Sequence, residues 1–502
     1  MMAAARQSRN RTLGQLLDGI VRVPRELDRE VADLSFDSRA VQPGSVFFAR
    51  RGERVDAAAF AHEARRRGAA AMVLEGDGVP APDADGLLRV PVAQVSPVAG
   101  HVAHRFFGAP SERLAVIAVT GTNGKTSVSH FVAEALERHR AQAVGVLGTL
   151  GQALGGSVRE GVLTTPDCIA VHRAMAEFAA GGAHIAVMEA SSHALAQQRL
   201  AGLRVHTGVF TNLSRDHLDY HGDMRAYARA KARLFAMPGL AAAVINADDA
   251  AAGEMRAALA GATRMVDFSL AQHARAAVRA RVLRNDAGGV ELDIRGEHGD
   301  ARIASALPGL PAAWNLLTAW CVLLLHGVDG ARAAALLSRA SAVPGRMQAL
   351  GGGAAPLVVV DYAHTPAALA AALDALRPLC RARLWCVFGA GGERDPGKRP
   401  LMGEAAALRA DRVVITDDNP RGEDGDAIVA QILGGVPVAR RPHVQVERAR
   451  ARAIELAIGA ADAGDVILVA GKGHERYQDL CARRVPFSDL AVVRAALDGA
   501  QR

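Results

Sequence analysis

The amino-acid sequence predicts an α/β protein of three domains, and three observations carry the prediction. The chain has 502 residues, which suits about three domains at roughly 150 residues each. Hydrophobic residues make up 50% of it and charged residues 22%, enough apolar side chain to bury several cores. From about residue 113 onward, short β-branched runs alternate with helical patterns, the order expected of mainly parallel sheets covered by helices.

Residues 1–112 read as a small N-terminal α/β domain. Apolar runs at Ser45–Phe48, Ala70–Leu74 and Leu88–Val90 alternate with helical stretches such as Ala57–Arg67. Phe36-Asp37-Ser38-Arg39 followed by Pro43-Gly44 is, taken alone, a polar loop entering a strand. Residues 113–342 form the central domain, with strands expected at Leu114–Val119, Ala143–Leu147, Ile185–Glu189, Thr207–Thr211 and Ala243–Asn246. A hairpin is expected over 278–295 and a long apolar helix from Trp314 to Leu325. A boundary falls near Val343-Pro344-Gly345-Arg346, and residues 343–502 form a C-terminal Rossmann-like α/β domain. Its strands are expected at Leu357–Val360, Leu384–Phe388, Val413–Thr416 and Val466–Val469.

Function concentrates in Val116 to Ser127, which reads VIAVTGTNGKTS. It combines a strand, a tight glycine loop and a helix N-terminus, so that backbone N–H groups and the helix dipole surround phosphate. Lys125 is placed to reach the terminal phosphates and Thr126 to hold Mg²⁺. The full P-loop pattern needs a glycine where Val119 stands, so this is a shortened version that by itself also fits an ordinary glycine-rich turn.

In α/β sheets ligands bind beyond the C-terminal ends of the strands, which makes the residues after each strand informative. In the central domain those exits carry Thr164-Thr165-Pro166, Glu189-Ala-Ser191-Ser192-His193 and Asn212-Leu-Ser214-Arg215-Asp216-His217. Glu189 and His217 could complete a Mg²⁺ site begun by Thr126, although oxygen is the more usual ligand. In the helix DMRAYARAKARLF, Met224, Tyr227, Lys231 and Leu234/Phe235 form one apolar stripe. A lysine there either snorkels to water or, desolvated, favours the neutral amine, which can add CO₂ and become an anionic metal ligand. In the C-terminal domain the exits carry Asp361-Tyr-Ala-His364, Gly389-Ala-Gly-Gly392-Glu-Arg394, Asp417-Asp418-Asn419-Pro420-Arg421 and Gly471-Lys472-Gly473-His474-Glu475. Four polar loops leaving one edge of a sheet converge on one pocket.

Composition excludes other classes. No apolar run reaches the roughly 20 residues that span a bilayer, and MMAAARQSRNRT lacks the apolar stretch of a signal peptide, so a cytoplasmic protein without membrane insertion is expected. Five cysteines without a C-x-x-C pair argue for reduced thiols and no zinc site. The net charge of +7 suits anionic small molecules; aromatics at 4% and scattered arginines argue against nucleic acid.

Taken in order, the motifs resemble the Mur ligases, the ATP-dependent amino-acid-adding enzymes of peptidoglycan synthesis. The resemblance spans nearly the whole chain: DSR with PG, TGTNGKTS, TTP, EASSHALAQQR, TNLSRDHLDYHG, the Lys231 helix, VPGR, DYAHTP, GAGGERDPGKRPLM, DDNPR and AGKGHE. It implies an acyl-phosphate mechanism using ATP and Mg²⁺, in a monomer whose third domain closes on the second. The D-Glu side-chain carboxylate of UDP-N-acetylmuramoyl-L-Ala-D-Glu attacks the γ-phosphate of ATP, and an incoming amine displaces phosphate. DNPR resembles the signature of members that accept meso-diaminopimelate, and lysine-adding relatives differ there.

The resemblance also implies roles for individual residues. Gly121, Thr122, Asn123, Gly124, Lys125, Thr126 and Ser127 would bind ATP, with Asn246, Asn315, Arg346 and Asp361 around the nucleotide. Thr126, Glu189, His217 and carbamylated Lys231 would hold Mg²⁺, and Lys125, Lys231, Glu189 and His217 form the catalytic set. Phe36, Ser38 and Glu53-Arg54-Val55 correspond to the UDP end, and Thr164, Thr165, Ser191, Gln197 and Arg199 to the muramoyl-peptide contacts. Arg394, Asp418, Asn419, Pro420, Arg421, Gly471 and Glu475 would bind diaminopimelate, whose distal carboxylate suits a guanidinium and is missing from lysine. Pro311 and Ala312 stand where the family carries the Phe and first Asn of G-x-F-N-x-x-N, and Asn315 keeps the second. The alternatives are a lysine-adding ligase, a folylpolyglutamate synthetase, which the DSR/PG and DNPR regions fit badly, and a nucleotide-binding regulatory protein without ligase activity.

Overall fold

The computed structural model describes residues 11–50, 57–161, 163–271, 275–286, 288–297, 299–481 and 483–500. Glu53, Arg54 and Val55 lie outside them. The architecture is α/β with mainly parallel sheets, as the sequence predicts, and the chain forms two compact units: Met1–Leu213 with His217–Val266, and Ser214–Asp216 with Asp267–Arg502.

The first unit contains two sheets. The N-terminal one runs in the order Asp33–Ser35, Ser45–Ala49, Ala71–Glu75, Leu88–Val92, Ala81–Pro82, and only the last pair is antiparallel. The other places Ala115–Thr120 between Ile185–Glu189 and Thr207–Phe210, all parallel, with Ala242–Asn246 beyond the latter and Gly145–Gly148 beyond the former. Val116, Ile117, Ala118 and Val119 are fully buried, as a strand covered on both faces must be. The expected boundary near residue 112 falls at the short helix Pro110–Arg113. There the two sheets share one unit because helices Val95–Phe106 and Cys168–Ala180 pack on each other. A Cβ on Gly100 would meet the Ala201 carbonyl oxygen at 2.3 Å, so glycine sets that close approach.

In the second unit, Val278–Asp286 and Gly289–Gly296 form the expected hairpin, to which Ala301–Ser305 adds a third antiparallel strand. The long helix runs Leu310–Leu325, starting earlier than expected because Pro311 sits in its first turn, where its missing N–H costs nothing. The six-stranded sheet has the order Gln348–Gly351, Leu357–Asp361, Val466–Ala470, Leu384–Phe388, Arg412–Ile415, Val444–Val446. All its pairs are parallel except the first.

Some elements carry little sequence signal. The hairpin Gly151–Leu154/Ser157–Arg159 turns on Gly155 and Gly156, both at positive φ, the backbone a two-residue turn requires. The pair Tyr477–Leu480/Arg483–Pro486 is short and polar. Of the stripe around Lys231, Tyr227, Lys231, Leu234 and Phe235 are buried and Met224 is half-buried, and Leu234 and Phe235 follow the end of the helix Met224–Ala232.

Candidate active site

The phosphate loop sits where strand order makes it central. Ala115–Thr120 ends in Gly121, whose φ of 150° brings its Cα so close to the next strand exit that a Cβ would lie 1.9 Å from Thr211 Oγ1. Gly124 is left-handed at φ 85° and opens the helix Lys125–Arg140. Loop and neighbouring exit are sewn together: Thr122 N donates to Asn212 O at 2.8 Å, Asn123 N to Asn212 Oδ1 at 3.0 Å, and Thr211 Oγ1 to Asn123 O at 2.6 Å. Asn246 anchors the same exit by donating to Thr211 O at 2.7 Å. Ser127 follows in the first turn of the helix.

Two lysines converge on one carbonyl of this loop. Lys125 Nζ donates to Gly121 O at 3.0 Å and to Thr122 O at 2.8 Å, and Lys231 Nζ donates to Gly121 O at 2.7 Å. Lys231 is 1% exposed, with its Nζ 4.4 Å from the centre of the Tyr227 ring. Tyr227 in turn places its hydroxyl 3.1 Å from Thr122 Oγ1.

Glu189 leaves the strand beside the phosphate strand and is 2% exposed. Thr126 Oγ1 donates to its Oε2 at 3.1 Å. Thr149 grips both oxygens, its N–H on Oε1 at 2.7 Å and its hydroxyl on Oε2 at 3.0 Å. Thr149 was not legible as a site residue. Its signal is positional: it follows Gly145–Gly148, the neighbour of the Glu189 strand. A Cβ on Gly148 would lie 2.3 Å from Glu189 Oε1, so that glycine makes room for the carboxylate.

The muramoyl-side candidates form one chain of bonds. Thr164 Oγ1 is 3.2 Å from Thr149 Oγ1, and Thr165 Oγ1 donates to Glu189 O at 2.7 Å while accepting from Ser191 N at 3.1 Å. Arg199 donates to Thr165 O at 2.6 Å and holds Gln197 Oε1 through Nη2 at 2.8 Å; Gln197 Nε2 lies 3.1 Å from the Tyr220 hydroxyl. Burial and the nearby Arg50 guanidinium lower the Arg199 pKa. Phe36 packs on Phe48 with Arg50 over its ring, and Ser38 Oγ donates to Glu63 at 2.7 Å.

His217, at φ 54°, joins an aromatic group: His193 at 4.8 Å and Tyr227 at 6.2 Å between ring centres. Burial pushes His193 down to about 4, helped by His217, His221 and Arg199, so it is a neutral neighbour at pH 7. Among the described residues no group of three or more His, Cys, Asp and Glu could hold a metal. The Thr126 hydroxyl and Glu189 carboxylate are hard oxygen donors at the mouth of the phosphate loop, a set that fits Mg²⁺.

In the second unit the loops after four parallel strands converge. Asp361 accepts from Met347 N at 2.8 Å and Ala363 N at 2.9 Å. Burial raises its pKa, opposed by Arg346 and by those N–H groups. Arg346 lies over Tyr362 at 4.8 Å, and Tyr362 meets His474 at 5.3 Å. A Cβ on Gly345 would come within 2.1 Å of His474 N, so the VPGR turn fits flush against the GKGHE loop. Asn315 lies on Leu310–Leu325 and is half-buried.

Lys472, absent from the sequence-based set, is the hub of the amino-acid candidates. It is fully buried and donates to Glu475 Oε2 at 2.8 Å and Asn419 Oδ1 at 3.0 Å, with Asp418 Oδ1 at 4.0 Å. Asn419 Nδ2 donates to the same Glu475 oxygen at 3.0 Å. Gly471, at φ 113°, brings its loop so close that a Cβ would meet Asp418 Oδ2 at 2.6 Å. Pro420 O touches the position a Cβ on Gly392 would take, at 1.9 Å, and Arg421 donates through Nη1 to Gly392 O at 2.5 Å. Arg394 and Arg421 flank Gly391, whose Cβ would lie 3.6 Å from Arg394 Cγ and 3.1 Å from Arg421 Nη1.

A glycine loop held by two lysines beside a buried carboxylate, together with a second parallel sheet whose exits gather Arg, Asn and Glu, is an α/β arrangement whose chemistry suits phosphate and a charged small molecule. Comparison with known proteins sharpens this. The Mur ligase catalytic domain matches residues 30–107, the Mur ligase middle domain 119–323 and the Mur ligase glutamate ligase domain 345–473. UDP-N-acetylmuramoyl-L-alanyl-D-glutamate–2,6-diaminopimelate ligase of Alkalilimnicola ehrlichii is 46% identical over 478 residues, 94% of this chain and 95% of that protein. The protein of the same name from Pseudomonas aeruginosa is 46% identical over 480 residues, 94% and 96% of the two chains. A solved structure of such a ligase superposes with a TM-score of 0.71 at 34% identity, covering 98% of this chain and 100% of that one. The chain belongs to the Mur ligase family.

Proposed function

We propose that this chain is an ATP-dependent amide-bond ligase that joins meso-2,6-diaminopimelate to the D-Glu side-chain carboxylate of UDP-N-acetylmuramoyl-L-Ala-D-Glu. Domain 1–112 takes the UDP end, 113–342 the ATP and 343–502 the amino acid, in a cytoplasmic monomer. Among the described residues no helix is long and apolar enough to cross a membrane, in keeping with a small-molecule enzyme. The observation that carries the amino-acid reading is the juxtaposition of Arg394 and Arg421 around Gly391, beside the Asn419–Glu475–Lys472 cluster.

Each residue then has a physical task. The Gly121–Ser127 loop binds the ATP phosphates through its N–H groups and Lys125. Mg²⁺ held by Thr126, Glu189, His217 and a carbamate on Lys231 would neutralise charge between two anions that must approach each other. Arg199, Gln197, Thr164, Thr165 and Ser191 orient the muramoyl dipeptide, which gains the effective molarity of a fixed near-attack geometry. Arg394 and Arg421 bind the distal carboxylate of diaminopimelate. Glu475 and the Asn419 loop bind its ammonium end, and Lys472 holds one Glu475 oxygen so that the other faces the ligand. A lysine in this pocket would bring the guanidinium pair no carboxylate, which rejects it strongly.

The test is phosphate release with UDP-N-acetylmuramoyl-L-Ala-D-Glu and ATP, comparing meso-diaminopimelate, L-lysine and no amine. Release only with diaminopimelate, together with a product of tripeptide mass, is expected. Release with lysine alone removes the reading of the arginine pair, and release with neither amine returns the chain to a regulatory role.

A further inference from the structure

Arg394 and Arg421 sit on different loops, one after Leu384–Phe388 and one after Arg412–Ile415. A two-armed receptor for one carboxylate needs a fixed distance between them. The structure shows what holds the loops together. Gly392 N donates to Asn419 O at 2.9 Å, and Arg421 returns a bond to Gly392 O. Behind this contact lies Arg399, 1% exposed, in the first turn of the helix Lys398–Arg409.

That is an unfavourable place for a cation: buried, and at the positive end of a helix dipole. Its compensation comes from both loops. Arg399 Nη2 donates to Gly391 O at 3.1 Å and pairs with Glu423 Oε2 at 2.9 Å, while Nη1 donates to Gln431 Oε1 at 2.9 Å. The other Glu423 oxygen accepts from Glu393 N, and Glu423 N donates to Pro420 O at 3.0 Å. One guanidinium thus clamps Gly391, next to Arg394, and Glu423, next to Arg421. The second buried arginine, Arg450, is different: its only side-chain acceptor among the described residues is Asp489, at 2.7 Å through Nε and 2.7 Å through Nη2, and its other bonds end on the carbonyls of Ala470 at 2.8 Å and Asp417 at 3.5 Å.

We propose that Arg399, acting with Glu423, is the positioning residue that sets the spacing of Arg394 and Arg421 and so tunes recognition of the diaminopimelate carboxylate. The inference rests on the proposed function. Arg399 never touches the ligand; its planar fork fits two acceptors at once, which a lysine ammonium on a flexible stem cannot reproduce.

The test uses the full chain as wild type, Arg399→Lys and Glu423→Gln, with KM measured separately for meso-diaminopimelate, ATP and the UDP-linked dipeptide. The expected result for Arg399→Lys is a KM for diaminopimelate raised about tenfold to a hundredfold, the scale of a misplacement near 1 Å, with the other two KM values within about twofold. The preference for meso-diaminopimelate over L-lysine should shrink in the same preparation. A purely structural role would instead lower kcat through a smaller folded fraction and leave every KM unchanged, and that outcome would overturn the proposal. If Arg399→Lys does not fold, Glu423→Gln decides: its KM for diaminopimelate rises in the same sense, or the clamp is wrong. Wild-type protein that makes no product with meso-diaminopimelate would refute the proposed function itself, and the clamp with it, a result read in the wild-type arm alone.

Discussion

Replacing Glu189 by Gln tests the phosphate site most directly, because shape is kept and only charge changes. The carboxylate accepts three bonds, from Thr149 N, Thr149 Oγ1 and Thr126 Oγ1 at 2.7, 3.0 and 3.1 Å. Bonds to a charged acceptor contribute about 1.5–3 kcal/mol each against about 1 kcal/mol for neutral ones. Neutralising the group therefore weakens three contacts. The same change removes the cost of burying a charge at 2% exposure, which offsets much of the loss. The net effect on folding is about 1–2 kcal/mol, a fall of a few degrees in melting temperature. Catalysis should suffer far more, because a metal ligand supplies several kcal/mol of charge stabilisation: kcat falls by about 10²- to 10⁴-fold. Thermal melting and phosphate release over a Mg²⁺ titration read the two effects separately. A variant that keeps kcat within threefold, with unchanged Mg²⁺ half-saturation, would refute the metal role and leave Glu189 as a support for Thr149.

Three other substitutions probe separate parts of the molecule. Lys231→Ala removes the 2.7 Å bond to Gly121 O along with the proposed carbamate; most activity is lost, acetate restores part of it, and full activity in the variant sinks the carbamate. Arg421→Ala leaves the left-handed backbone at φ 52° as strained as before and removes both the guanidinium and its bond to Gly392 O, so its effect falls on the amino-acid pocket: KM for diaminopimelate rises by about 10²- to 10³-fold with ATP affinity nearly unchanged, and equal losses in both would remove the specificity argument. His172 is fully buried and bonded to Ala201 O at 3.0 Å, and burial pushes it down from 6.5 to about 4. The unfolded chain therefore binds the proton more tightly, and stability falls as pH drops from about 6.5 to about 4, by about 3 kcal/mol at roughly 1.4 kcal/mol per pH unit. His172→Gln should flatten that slope in denaturant melts taken across the range, and an unchanged slope assigns the acid sensitivity to other groups.

The strands of both main sheets were legible because their burial is two-sided. VIAV, VVV and VILV are continuous apolar runs rich in β-branched residues, and they became Ala115–Thr120, Leu357–Asp361 and Val466–Ala470. The glycine loop and the arginine-bearing exits were legible for the same reason, since each follows a strand that announces itself. Thr149, Lys472 and Arg399 were not. Thr149 matters because its strand adjoins that of Glu189, and neighbours in a sheet are not neighbours in sequence. Lys472 acts through partners 3 and 53 residues away and Arg399 through partners 8 to 32 residues away, and a lysine or arginine beside a loop carries no mark in sequence that separates a buried hub from a solvated charge. The third strand at Ala301–Ser305 and the hairpin Tyr477–Leu480/Arg483–Pro486 escaped because short polar strands show no clear alternation.

The shortened glycine pattern itself has a physical account. The longer form of the loop would place a glycine at 119, but Val119 lies inside the strand, fully buried, and pairs with Glu189 on one side and Val209 on the other. A glycine there would weaken the strand that pairs with the one carrying Glu189. The turn therefore starts two residues later, and fewer loop residues remain to stiffen it from within. The rest of the unit supplies the stiffness: Thr211 and Asn212 from the next strand exit bond Asn123 and Thr122, and Lys231 reaches across from its helix to Gly121 O. On this view Gly121 is required by packing as much as by phosphate, since its missing Cβ is what lets Thr211 approach. Lys231 is fixed by the same loop, and its amine stands beside the carbonyl of Gly121, the residue that opens the turn.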